Sequence, residues 1–412
     1  MSKKLKKNII AGLDIGTTKV VALIGQVNDE GHLEVVGIGS HPSRGLKRGV
    51  VVNIESTIQS IQRAIEEAEL MAGCEVNSVY AGIAGNHIRS LNSHGIVAIR
   101  ENEVNQGDIE RVIDAAKAVA IPADQKILHI LPQEFIIDNQ EGIREPIGMS
   151  GVRLEAKVHI VTGAVSAAQN IVKCVQSCNL HVDDIILEQL ASSYSVLTED
   201  EKELGVCLID IGGGTTDIAI FTDGAIRHTA VIPIAGDQVT NDIAVALRTP
   251  TRNAEEIKVQ HSKALLDLAD AHTVIDVPSV SGRSPRQLSE KALAEVVSAR
   301  YEELFALVSA ELRRSGFDDL IAAGCVLTGG ASMVGGVLDL AEHVFQVPVR
   351  LGLPHHVSGL THSQQTPVYA TGVGLLLYGH QQAGDTRRLE FEMSDGVKGL
   401  WSRMASWFKG NF

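Results

Sequence analysis

The strongest constraint on how this chain folds is a motif it carries twice. Leu13-Asp14-Ile15-Gly16-Thr17-Thr18-Lys19-Val20 returns half a chain later as Ile209-Asp210-Ile211-Gly212-Gly213-Gly214-Thr215-Thr216-Asp217-Ile218. Each copy reads as an apolar strand ending in an acid, a glycine turn with two threonines, and a second apolar strand. Glycines let backbone N–H groups converge into an anion nest and threonine hydroxyls add donors, so both turns suit phosphate. Lys19 supplies a cation on one side only. Asp14 and Asp210 are badly placed against bare phosphate, but they fit if a hydrated Mg²⁺ stands between them and it. One such turn need be no more than a Gly/Thr hairpin. Two of them predict a duplicated α/β domain with a nucleoside triphosphate, ATP, in the cleft between copies. No GxxxxGK[ST] loop occurs, and Gly37-x-Gly39 lacks the third glycine and following helix of a dinucleotide fingerprint.

A chain of 412 residues exceeds one ordinary core, so at least two domains are expected. Its formal charge of −14 argues against a general nucleic-acid binder. Cys74, Cys174, Cys178, Cys207 and Cys325 match neither a zinc ribbon nor a CxxC pair and read as buried thiols of a reducing cytosol. The lysine-rich start, residues 1–8, has no cleavable signal pattern, and no apolar run approaches the roughly 20 residues that span a bilayer.

Hydrophobic spacing predicts a helix capped by Asn53 and ending at Gly73, and another over 106–119. Further helices are expected over 166–177, 182–197, 238–247, 254–268, 287–315, 332–345 and 369–378. The polar stretch 198–203 reads as a crossing between domains. The polar, charged stretch 380–395 reads as a flexible linker.

The final residues are of another kind. Val397, Leu400, Trp401, Met404, Trp407 and Phe408 fall on one helical arc of about 120°, with Lys398, Arg403 and Lys409 outside it. Both tryptophans of the chain lie here, and no acidic side chain follows Asp395. An apolar face, interfacial tryptophans and basic flanks predict a helix lying on an anionic membrane surface. One short helix is a reversible anchor, which polymerisation would strengthen through multivalency.

The two hairpins, with Leu327-Thr328-Gly329-Gly330-Ala331-Ser332 as an adenosine motif, resemble the actin/Hsp70/sugar-kinase ATPase superfamily. Within it, Pro132-Gln133-Glu134-Phe135, Gln140-Glu141-Gly142-Ile143 and the run Gly148 to Lys157 resemble the bacterial FtsA cell-division family over nearly the whole chain. The resemblance implies an actin-like duplicated α/β fold. Its first domain comprises 1–84, 163–202 and 360–380, and its second 203–359, with a helical subdomain near 237–303. An FtsA-type subdomain is inserted at 85–162, and a linker at 381–394 precedes the tail at 395–412. It also implies phosphate and metal contacts from Asp14, Gly16, Thr17, Thr18 and Lys19 and from Asp210, Gly212, Gly213, Gly214, Thr215 and Thr216. Adenosine would lie along Gly329, Gly330 and Ala331, with Glu255, Glu256 and Lys258 near ribose and base.

By the same resemblance, 187–193 and 369–374 connect the domains, and Glu188 stands where chaperone relatives orient the attacking water. The implied role is an ATP-dependent polymer at the inner face of the cytoplasmic membrane. It would anchor FtsZ filaments and recruit later division proteins, with the insert used for self-association. On the helix 287–315, Arg300 sits on a stripe of Leu293, Val296, Val297, Leu304, Leu307 and Val308. A guanidinium there needs a partner, and the resemblance makes Arg300 the contact for the FtsZ C-terminal tail. The rival reading, a soluble sugar or acetate kinase, leaves the amphipathic tail without a purpose. A chaperone ATPase would need a substrate-binding domain after the linker.

Overall fold

The computed structural model describes residues 9–280 and 285–393. The first motif forms β1 (Ile9–Ile15) and β2 (Lys19–Val27), antiparallel with Asp14 opposite Val21. β3 (Leu33–Pro42) extends this meander. A short hairpin, β4 (Leu46–Lys47) with β5 (Val50–Val51), leads into helix α1 (Ile54–Ala72). Asn53 caps α1 by accepting the Ser56 N–H, and Gly73 ends it at a φ of 65°. β6 (Ser78–Ile83) then joins β1 in parallel.

The chain next leaves this sheet to build a separate one. β7 (Arg89–Ala98), β8 (Gln125–Ile137), β9 (Gln140–Ile143) and β10 (Arg153–Ala164) are ordered β7-β10-β8-β9. Helix α2 (Gln106–Lys117) covers them through a core that includes Val112, Phe135, Leu154 and Ile160. Helix α3 (Val165–Gln176) returns the chain to β11 (His181–Leu187), which lies parallel to β6. The expected helix over 182–197 is therefore two elements, β11 and then α4 (Glu188–Val196). A short apolar run does not distinguish a buried strand from a helix, and here pairing with β6 decides. The stretch 198–203 folds as a short helix, α5 (Glu199–Leu204), closed by a Thr198–Glu201 capping box.

The second motif is β12 (Val206–Ile211) and β13 (Thr216–Thr222), continued by β14 (Ala225–Ile232). Helices α6 (Gly236–Leu247) and α7 (Thr251–His261) follow, then the hairpin β15 (Val274–Val277) with β16 (Arg286–Ser289). Long helix α8 (Glu290–Ser315) leads to β17 (Cys325–Thr328), α9 (Val337–Phe345) and β18 (Val349–Leu351). Several helices are shorter than expected. α7 ends at His261, α8 starts only after β16, and Gly336 at a φ of 79° delays α9.

The two main sheets repeat one topology. Orders β3-β2-β1-β6-β11 and β14-β13-β12-β17-β18 are each an antiparallel meander followed by two parallel strands. The sequence repeat is thus a repeat of half-molecules. Apart from Ile9, both central strands are buried because apolar cores cover both faces.

The final helix, α10 (Ala370–Met393), corrects the linker expectation: it runs unbroken through most of 381–394. That stretch lacks proline, and after Gly384 it is rich in Arg, Leu, Glu and Met, which favour helix. The tail residues 395–412 lie outside the described residues.

The Gly37-x-Gly39 pair, unsuited to a dinucleotide, has a packing use. A Cβ on Gly39 would stand 1.9 Å from the Ala64 carbonyl oxygen and 2.7 Å from the Ala68 nitrogen, both α1 backbone atoms. Helix α1 thus rides directly on β3. Gly39→Ala is expected to force them apart at a cost of about 1–3 kcal/mol, read as a lowered melting temperature. An unchanged melt would contradict this packing account.

Candidate functional site

The two glycine turns face each other across the halves. A Cβ on Gly213 would lie 1.7 Å from Thr18 Oγ1, and one on Gly214 would lie 2.5 Å from Thr17 Oγ1 and 2.9 Å from Arg48 Cα. Glycine is needed here because the turns touch. The Thr18 hydroxyl hydrogen-bonds to the Asp237 carboxylate across the cleft, and Thr17 Oγ1 accepts the Gly49 N–H at 2.9 Å. The second turn is clipped to the start of α6, where the Gly236 and Asp237 N–H groups donate to Gly212 O and Gly213 O at 3.1 and 2.8 Å.

The acids end β1 and β12 as expected. Asp14 and Asp210 are both buried. Asp210 accepts from Ser192 at 2.6 Å and from Thr371 at 3.3 Å, and these hydroxyls lie 3.0 Å apart. Ser192 is on α4 and Thr371 on α10, the segments expected to connect the domains. These helices cross closely, for a Cβ on Gly374 would fall 1.8 Å from Ala191 O. Gly329 passes Asp210 in the same way: its Cβ would fall 2.4 Å from Oδ1.

Around this crossing the charges are unbalanced. Burial pushes the Asp14 carboxyl up to about 7 against the opposing field of Lys19, with Asp210 adding to the rise. Burial, aided by Asp210, pushes Asp217 up to about 8, and Asp210 itself is raised by burial. Glu188, at the start of α4 against Gly82, is raised well above the usual carboxylate range by burial and by Asp14, Asp217 and Asp210. Lys19 is lowered by burial; its ammonium donates to Val368 O at 3.2 Å and lies 5.4 Å above the Tyr369 ring. Asp217 Oδ1 and both amide atoms of Gln189 are buried without a protein partner.

This donor set fits a hydrated divalent cation next to phosphate, whose waters would satisfy the orphaned oxygens. Among the described residues no group of three or more His, Cys, Asp or Glu is arranged to hold a metal ion.

A second cluster borders Gly212. Lys258 Nζ donates to Gly236 O at 3.1 Å and Thr240 Oγ1 at 2.9 Å, and it pairs with Glu255 at 2.7 Å. A Cβ on Gly236 would touch Ala331, Gly212 and Lys258 together, and Tyr301 anchors Ala331 O at 2.7 Å. The chain thus brings Glu255, Lys258 and Ala331 to the second turn. Gly330 lies nearby, facing Val368.

Other expected residues are placed differently. Glu256 is exposed and pairs with Arg252. The Thr215 hydroxyl donates to Asp217, and that of Thr216 is committed to Ile234 O at 2.7 Å. The partners that Arg300 needs on the apolar stripe are internal acids: it forks onto Asp242 and also meets Glu303. The membrane-facing set Val397, Lys398, Leu400, Trp401, Arg403, Met404, Trp407, Phe408 and Lys409 lies outside the described residues. Among the described residues no helix is long and apolar enough to cross a membrane.

Sequence reasoning missed Asp237, Gln189, Ser192 and Thr371 as site residues. Asp217 was findable, since it is the register partner of Asp210 within the repeat. Asp237 stands in the first turn of a helix, yet only the fold brings it to Thr18.

Comparison with known proteins agrees with this architecture. Residues 207–374 match the family model described as cell division protein FtsA, and residues 85–162 match that of the SHS2 domain inserted in FTSA. The cell division protein FtsA of Pseudomonas aeruginosa is 68% identical over 98% of both chains. That of Escherichia coli K12 is 48% identical over 100% of both. Among solved structures, a PilM-PilN type IV pilus biogenesis complex aligns with a TM-score of 0.66 at 15% identity, over 90% of this chain and 98% of that one. MreB5 of Spiroplasma citri bound to ADP aligns at 0.57 and 14% identity, over 93% and 99%. With repeated half-molecules, a matching insert and full-length relatives, the chain belongs to the cell division protein FtsA family.

Proposed function

We propose that this chain is an ATP-dependent, actin-like scaffold that self-assembles and anchors FtsZ filaments to the inner face of the cytoplasmic membrane, where it recruits later division proteins. The observation that carries the nucleotide part is the cross-cleft pairing of the two glycine turns around buried, raised carboxylates. Such turns present backbone N–H groups to phosphate, and the acids hold Mg²⁺ through its waters. Glu255 and Lys258 border the ribose and base along Gly329, Gly330 and Ala331. Glu188 lies within the acidic cluster and is the residue suited to orient water, with turnover secondary to switching.

The likeness to MreB5 with ADP and to the MamK double helical filament supports nucleotide binding and self-association. The membrane part rests on the sequence of the tail, in which Trp401, Trp407 and their apolar neighbours face lipid while Lys398, Arg403 and Lys409 meet anionic headgroups. Arg300 would receive the FtsZ C-terminal tail by exchanging Asp242 or Glu303 for it.

The test is co-sedimentation with anionic vesicles, with and without MgATP and FtsZ. The full chain is expected to pellet and to bring FtsZ down with it. A chain ending at Met393 should leave both in the supernatant, and Arg300→Glu should lose FtsZ alone. Equal pelleting of full and truncated chains would sink the membrane-scaffold reading.

A further inference from the structure

At one end of the first sheet's strands, on the α1 side, lies a groove of about 840 Å³. Its floor is apolar, with Ile9, Val36 and Val76, and Leu70 stands on its wall 85% exposed. Glu66, Glu69 and Glu75 line it, and among the described residues no lysine or arginine does. An apolar trough with an acidic wall calls for an occupant of opposite character, a basic amphipathic helix.

We propose that this groove receives the chain's own C-terminal segment, residues 397–412, so that docking competes with lipid for the same apolar face. Charge complementarity is the first support. Lys398, Arg403 and Lys409 match three glutamates, and Trp401, Met404 and Trp407 supply the bulk that the floor lacks.

Reach is the second support. Helix α10 packs on the opposite face of this sheet and leaves it at the end where the groove lies, for Gly379 packs on Ile10 and Tyr80 while the groove holds Ile9 and Ser78. The tail therefore has to pass around that end to reach the α1 side. Met393 lies fourteen residues on, about 21 Å along a helix. Residues 397–412, if helical, span about 24 Å, enough to return after a reversal at Gly396. The lysine-rich start, residues 1–8, departs from the groove's own rim but brings only Met1 and Leu5 as large apolar side chains.

The inference rests on the reading of the tail as an amphipathic helix, and its test separates the two. Cys74 lines the groove as a free thiol. In the full chain carrying Ser402→Cys, a short bismaleimide is expected to join that position to Cys74 within one molecule, identified by peptide mass. Anionic vesicles should abolish the link. Glu66→Lys with Glu75→Lys, both at exposed positions, should abolish it too and raise vesicle binding several-fold at limiting lipid.

An unchanged link and unchanged pelleting in that double variant would overturn the proposal. So would a link formed only between two chains, or one formed from Ser2→Cys and not from Ser402→Cys. A charge-sensitive link in a chain that never pellets with vesicles would support docking while the membrane reading failed.

Discussion

Gly213→Ala is expected to lower MgATP affinity by about 10- to 100-fold while leaving the unliganded chain folded. The added Cβ would stand 1.7 Å from Thr18 Oγ1 and 3.1 Å from Thr18 Cβ. Overpacking of this kind costs about 1–3 kcal/mol, and each 1.4 kcal/mol is about tenfold in affinity. The cost falls on closure of the cleft and not on either core, because the colliding atoms belong to opposite halves. Thr18→Ala alone loses one hydroxyl donor, spent on Asp237 in the empty cleft and free to turn to phosphate when nucleotide binds, and should weaken binding by about tenfold.

The decisive comparison is the double variant. Removing the Thr18 hydroxyl also removes the atom that a Cβ at Gly213 strikes, so the two losses should add up to less than their sum. Strict additivity, measured by titrating a fluorescent ATP analogue, would mean that the turns do not meet in the nucleotide-bound protein. Full loss of binding in Gly213→Ala without any relief in the double variant would place the effect elsewhere.

Much of this arrangement was legible in the sequence, and the boundary has a physical cause. The repeat at Asp14 and Asp210 announced two half-molecules because the strand, turn and acid chemistry is local and survives in a linear string. The helix from Ile54 to Ala72 was readable to the residue, since Asn53 and Gly73 carry its capping chemistry in their side chain and φ. The strand His181–Leu187 was not readable. Its apolar run is too short to have a period, and only the parallel partner β6 makes it a strand.

Gly37 and Gly39 failed as a ligand motif because their reason is the backbone of a helix, at Ala64 and Ala68, that lies far along the chain from them. Asp237 and Gln189 escaped for a similar reason, as a carboxylate and an amide become site residues through what faces them across a cleft. Arg300 was legible as a guanidinium in need of a partner, but only the fold shows that Asp242 on α6 meets it.

The second large effect concerns the charge held in that cleft. In the folded chain Asp14 and Asp217 take up protons at about 7 and about 8, against 3.8 for an ordinary aspartate. The folded state therefore binds more protons than the unfolded state between those limits. Their contribution to stability is full below the ordinary value and is lost as pH rises through about 7 to 8. The unliganded chain should accordingly melt at lower temperature near pH 9 than near pH 5. Asp217→Asn removes one of these ionisations but keeps an oxygen for the Thr215 hydroxyl that Asp217 now accepts. It should raise stability by about 2 kcal/mol at the alkaline end, roughly 4–8 °C at the usual 2–4 °C per kcal/mol, and flatten the pH slope. The same substitution should weaken MgATP binding, because a carboxylate that destabilises the empty cleft is the one that a hydrated cation stabilises. Saturating MgATP should flatten the slope of the parent chain as well. A variant neither more stable at high pH nor poorer in MgATP binding would show that Asp217 carries no charge in the working cleft.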